Sequence, residues 1–149
     1  MGMLGVTTLV ATFCCSVFFG AALYISLVQH PAALETGTEF AARFFGPMYR
    51  RAAWLQASLA LVGCAAAIAA WLGGAGCLWL AVGVLIGSVV PFTLIVIQPV
   101  NDLVRQGGSA PLELGMLLIR WGYLHWVRTV VSGLAFLLCL IGYNLRTQV

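Results

Sequence analysis

"AAWLQASLALVGCAAAIAAWLGGAGCLWLAVGVLIGSVVPFTLIVIQPVN", Ala52 to Asn101, carries no charged residue. A helix needs about 20 apolar residues to cross the hydrocarbon core. This run is more than twice that, so it reads as two spans with a turn between them. "LGGAG", Leu72 to Gly76, supplies the turn, because glycine accepts the backbone angles a tight reversal demands. The second span is then expected at 47–71, with Gly46-Pro47 at its start, where proline is tolerated. The third is expected at 78–98, with Pro91 inside it and Pro99 just past its end.

Working outward, Met3 to Val28 is also free of charge. It lacks the basic start and short apolar region of a cleavable signal and reads as a first span, 3–28. Pro31 is expected to end or bend it. A fourth span is expected at 117–143, longer than a bilayer requires, so its first turns project into headgroups or line a polar cavity. The fold class is therefore all-α, an integral membrane antiparallel bundle of four transmembrane helices, in one domain over 1–149. Small residues are expected at helix contacts, since apolar area alone gives no drive in lipid. Ser16-xxx-Gly20 and Ala60, Gly63, Ala67 fit that role.

The composition agrees. Hydrophobic residues make up 62% of the chain and charged residues 7%, against about a quarter charged in soluble domains. The net charge of +3 is small and scattered, which excludes a nucleic-acid face. The five cysteines form no CxxC pair and read as buried free thiols behaving as small apolar residues. Arginine placement sets the expected orientation. Arg43, Arg50, Arg51, Arg105 and Arg120 fall on one side and Arg146 on the other. The arginine-rich side is expected to be cytoplasmic, in a multi-pass protein of a bacterial inner (plasma) membrane with both termini outside.

Threading the chain this way gathers polar groups at the arginine-rich end: His30 from span one, Tyr49, Arg50, Arg51 and Gln56 from span two, Thr93, Gln98, Asn101 and Asp102 from span three. Span four brings Arg120, Trp121, His125 and Arg128. Trp121, His125 and Arg128 stand at i, i+4 and i+7 and so share a stripe. A charge facing lipid costs on the order of 2.5–3.5 kcal/mol at the helix centre. Arg128 is therefore expected to face the bundle, pair with Asp102, Glu35 or Glu39, or snorkel. Thr93 could bond a backbone group freed by Pro91. "EFAARFFGPMY" reads as an interfacial helix resting Phe40, Phe44 and Phe45 on lipid, or as a lid. His30, His125 and a carboxylate could make a metal set, but none lies at a tight ligand spacing. No cofactor is expected, and metal is not excluded. Each residue also has a plainer reading: arginines and tryptophans as interface anchors, histidines as structural hydrogen-bonding groups.

"GAALYISLVQHPA", "MYRRAAWLQ", "PFTLIVIQPVNDLV" and "RWGYLHWVRTVVSG" occur in this order, and as a set they resemble the anthrone oxygenase family over nearly the whole chain. The resemblance implies four transmembrane helices and oxidation of a polycyclic anthrone by dioxygen as co-substrate. In that chemistry His125 is the candidate base and His30 its alternative. Arg128 and Arg120 would steady a phenolate, Trp121, Tyr49 and Tyr24 would form aromatic walls, and Asn101 and Thr93 would donate hydrogen bonds. Arg50 and Arg51 complete the candidate substrate-binding set. Expected partners are membrane lipid and a lipophilic phenolic or quinonoid molecule, with a homo-oligomer left open. The competing readings are a non-enzymatic binding or transport protein for an anionic lipid or small lipophile, and a structural subunit of a larger complex.

Overall fold

A computed structural model describes residues 2–107 and 110–147. Four rods are long and apolar enough to cross a membrane: α1 (Met3–Glu35), α2 (Thr38–Ala75), α3 (Cys77–Gln106) and α4 (Pro111–Leu145). They enclose a square in chain order, each packed on the next and α4 on α1. Contacts run in opposite directions along the α1–α4 and α2–α3 pairs. On α1 and α4, His30 meets Gly122, Ser26 meets His125 and Phe19 meets Gly133. On α2 and α3, Tyr49 meets Gln98 and Cys64 meets Gly87. The turn between α2 and α3 forms where its glycines allow: Gly74 and Gly76 have φ of 90° and 96°, angles that cost glycine little.

The rods outrun the sequence expectation. α2 begins at Thr38 and passes through Pro47 without a break. "EFAARFFGPMY" is thus neither a separate interfacial helix nor a lid but the opening of α2, with Phe45 buried in the core and Phe40 turned outward. Pro31 does not end α1. The helix passes through a π-helical turn at Ile25–Gln29 and continues as His30–Glu35. α3 repeats the device, with a π turn at Thr93–Ile97 followed by Gln98 and Pro99. A proline ring crowds the carbonyl four residues back, and a widened turn takes up that conflict while shifting the helix phase. Thr93 contributes at the head of its turn by bonding the Val89 carbonyl at 2.6 Å.

Helix contacts use small residues, though not all those expected. Ala60 and Ala67 are fully buried, and a Cβ on Gly63 would lie 3.0 Å from Cys14. Gly20 instead faces outward with nothing near it. α1 packs through Ala11, Cys15, Phe18 and Ala22. Cys14 meets α2 while Cys15 meets Cys139 of α4, so the adjacent thiols serve two interfaces. All five cysteines are free, three of them buried.

Two apolar cores stack along the bundle. One is built around Phe18, Trp79 and Ile86, the other around Phe45, Leu118 and Trp121. On every rod a group of buried or half-buried polar residues falls between the two: Ser26, Gln56, Thr93, and His125 with Arg128 and Thr129, while Thr8, His30 and Asn101 are buried outside that layer. The polar layer therefore crosses the middle of the bundle rather than capping its tips.

Candidate functional site

The layer is built on α4. His125 is 1% exposed and Arg128 5%, both turned inward as their stripe with Trp121 requires. His125 Nδ1 lies 2.9 Å from Ser26 Oγ, and Ser26 Oγ lies 2.9 Å from Thr129 Oγ1. Thr129 is also 3.3 Å from the Ala22 carbonyl, just upstream of the π turn. Thr129 Oγ1 is within reach of a second carbonyl as well, that of His125 at 3.4 Å, and a carbonyl can only accept. With the Thr129 proton on either carbonyl, Ser26 donates to Thr129 and accepts from His125 Nδ1–H. In that order the imidazole carries its proton on Nδ1 and keeps the Nε2 lone pair.

Arg128 finds no carboxylate. Among the described residues the ion pairs are Arg43–Glu39 and Arg105–Asp102. Its Nη2 donates to Gln56 Oε1 at 2.7 Å, and its guanidinium carbon lies 5.5 Å from the centre of the Phe18 ring. Arg128 Nε and Gln56 Nε2 have no acceptor. Beyond them, the Tyr49 hydroxyl donates to Gln98 Oε1 at 3.1 Å and Asn101 Nδ2 donates to the same oxygen at 3.3 Å. Gln98 in turn donates to Asp102, which pairs with Arg105 at the surface.

His125 and Arg128 open to different sides. A pocket of about 170 Å³ lies between α1 and α4, with His30, Trp121, Gly122, His125 and Trp126 in its wall. A second, of about 110 Å³, lies between α2 and α3 with Arg128, Gln56, Tyr49 and Thr93 in its wall. His30 and His125 flank the Trp121 ring, each with its centre 4.9 Å away.

Of the sequence candidates, His30, Tyr49, Thr93, Asn101, Trp121, His125 and Arg128 belong to this interior. Tyr24 is 58% exposed, and Arg50, Arg51 and Arg120 all face outward. Among the described residues no three of His, Cys, Asp and Glu gather as a metal set, so His30 and His125 gain no carboxylate between them. Sequence reasoning missed Ser26 and Thr129. The available signals were Ser26 one turn before His30 and Thr129 one turn after His125.

No solved structure matches the chain. The anthrone oxygenase tpcL of Aspergillus fumigatus (strain ATCC MYA-4609 / CBS 101355 / FGSC A1100 / Af293) is 28% identical over 137 residues, covering 84% of this chain and 85% of its own length. The family model for anthrone oxygenase matches residues 45–138, a stretch that holds Gln56, Thr93, His125 and Arg128. The chain belongs to the anthrone oxygenase family.

Proposed function

We propose that the chain is a membrane-embedded, cofactor-independent oxygenase of a flat, lipophilic phenolic compound such as an anthrone. The observation that carries this reading is the 2.9 Å contact of Ser26 with His125 Nδ1 in the wall of the α1–α4 pocket. It orients an imidazole whose free nitrogen can take a proton in a water-poor site. The pocket, about 170 Å³, is smaller than the roughly 300–1,000 Å³ of enclosed ligand sites. A ring system would enter edge-first from the bilayer, with Trp121 and Trp126 beside it and its remainder among acyl chains.

The reaction balances without a resident redox group. The central methylene of an anthrone loses one proton to His125, giving an aromatic phenolate with carbanion character. Dioxygen adds at that carbon, and the peroxide takes up the proton. The resulting hydroperoxide loses water as the second C–H bond breaks, leaving the quinone carbonyl. One substrate and one dioxygen thus yield one quinone and one water. Arg128, one turn along α4, supplies positive field to the developing anion. His30 faces the same pocket as a second base candidate. Arg50, Arg51 and Arg120, being exposed, suit anchoring at a cytoplasmic headgroup layer, with both termini outside.

Purified protein in lipid nanodiscs should consume oxygen when given an anthrone, retain that activity after chelation and lose it in His125→Ala. Oxygen uptake unchanged in His125→Ala would remove the proposed base. Loss of wild-type activity on chelation would remove the cofactor-independent mechanism.

A further inference from the structure

The α2–α3 pocket holds no reacting atom of the reaction above, although its Arg128 lends that reaction a positive field. Its polar wall is Arg128, a guanidinium 5% exposed and without a carboxylate partner among the described residues. An ion taken out of water is destabilised unless a partner compensates. The neutral Gln56 oxygen meets one of its nitrogens, while Arg128 Nε and Gln56 Nε2 remain donors without acceptors. The Tyr49 and Thr93 hydroxyls in the wall already donate to Gln98 and to the Val89 carbonyl, and the remainder, Ala57, Val90 and Leu94 among it, is apolar. Leu94 and Ala57 are exposed, so the mouth opens onto the face a bilayer would cover.

We infer that this pocket binds the oxyanion head of an amphiphile, a carboxylate or phenolate, entering sideways from the bilayer between α2 and α3. A planar oxyanion matches the guanidinium fork and could accept from the idle nitrogens of Arg128 and Gln56. The volume of about 110 Å³ admits a head group or a single ring, and a tail would continue past Leu94 into lipid. The site is separate from the His125 pocket, and its occupancy does not depend on turnover there.

The test is equilibrium binding of radiolabelled dodecanoate to the full chain in phosphatidylcholine nanodiscs, with no anthrone present. Dodecanol serves as the uncharged comparison and para-nitrophenolate as a competitor. Dodecanoate should saturate at one site per chain, at least about tenfold tighter than dodecanol. Arg128→Gln should abolish that preference. Ala57→Phe should block binding by filling the mouth while leaving the Arg128–Gln56 bond in place, which covers the case that Arg128→Gln does not fold. Displacement by para-nitrophenolate supports the site and extends it to phenolic anions. Dodecanoate binding without displacement supports it for lipid acids alone, and para-nitrophenolate binding alone supports it for phenolic anions. Equal affinity for dodecanol, saturable binding that survives both substitutions, or no saturable binding of either anion overturns the inference. Because no oxygen uptake is measured, this result and the fate of the oxygenase reading are independent.

Discussion

Replacing Gln56 by leucine tests the energetics of the polar layer directly. Gln56 is 1% exposed and accepts a 2.7 Å bond from Arg128. A hydrogen bond to a charged group contributes about 1.5–3 kcal/mol, and its removal leaves a buried guanidinium with no acceptor. Gln56→Leu should therefore lower stability by roughly 2–3 kcal/mol, a fall of about 30- to 140-fold in the folded-to-unfolded ratio. Arg128→Met should also cost about 1–3 kcal/mol, because the Gln56 oxygen is stranded. The double variant is the informative one. It exchanges both polar groups for apolar ones of similar length, which is often close to neutral for buried pairs. The two losses should then fail to add, with a coupling of about 3–6 kcal/mol if the double variant is neutral. Unfolding of ligand-free protein by SDS in mixed micelles, followed by far-ultraviolet circular dichroism, measures all four corners of the cycle. A Gln56→Leu loss below about 0.5 kcal/mol, or a double variant as weak as the sum of the singles, refutes the reasoning.

Other substitutions separate structure from chemistry. Ser26→Ala removes the acceptor that orients His125, and oxygen uptake should fall by roughly tenfold or more with no change in helical content; retention of full activity would discard the proton chain. Gly122→Ala places a Cβ 2.8 Å from His30 Nε2, and thermal unfolding should show a loss of about 1–3 kcal/mol together with reduced turnover. Gly142→Ala meets Leu78 at 2.9 Å in the other core, and should cost stability on a similar scale while the remaining folded protein turns over normally. Equal activity losses in these two variants would detach the pocket from function.

The fold was legible because lipid imposes a simple rule. An uncharged run twice the length of one span must fold back on itself, and Gly74 and Gly76 marked where. The helix starts were less legible. Gly46-Pro47 looked like a beginning, yet the backbone carries Pro47 inside α2. Part of the site was readable too, since Trp121, His125 and Arg128 share one stripe of one helix. Their partners were not, because Ser26–His125 and Gln56–Arg128 are contacts across helices set by how the rods meet. Nor was the split into two pockets readable. Residues three apart on a helix are neighbours, yet in a square bundle they border grooves on opposite sides. Arg50, Arg51 and Arg120 face outward because of their angular position around helices whose inner faces carry Tyr49 and Trp121, and the early beginnings of α2 and α4 set the polar interior away from the helix tips.

The paired π turns carry an evolutionary constraint of their own. Ala22 and His30 are both buried, as are Val89 and Ile97, yet eight residues of ordinary α-helix overshoot two full revolutions by about 80°. Each widened turn cancels that overshoot, acting as a leap day in the helical calendar. Closing either turn to ordinary α-helix with its length unchanged would keep every hydropathy profile intact while swinging all that follows by about 80°. His30, or the Gln98–Asn101 cluster, would then be delivered to the acyl chains. Substitutions that favour the tighter helix should therefore be selected against at these ten positions, even though Leu27, Val28, Leu94 and Ile95 among them are exposed.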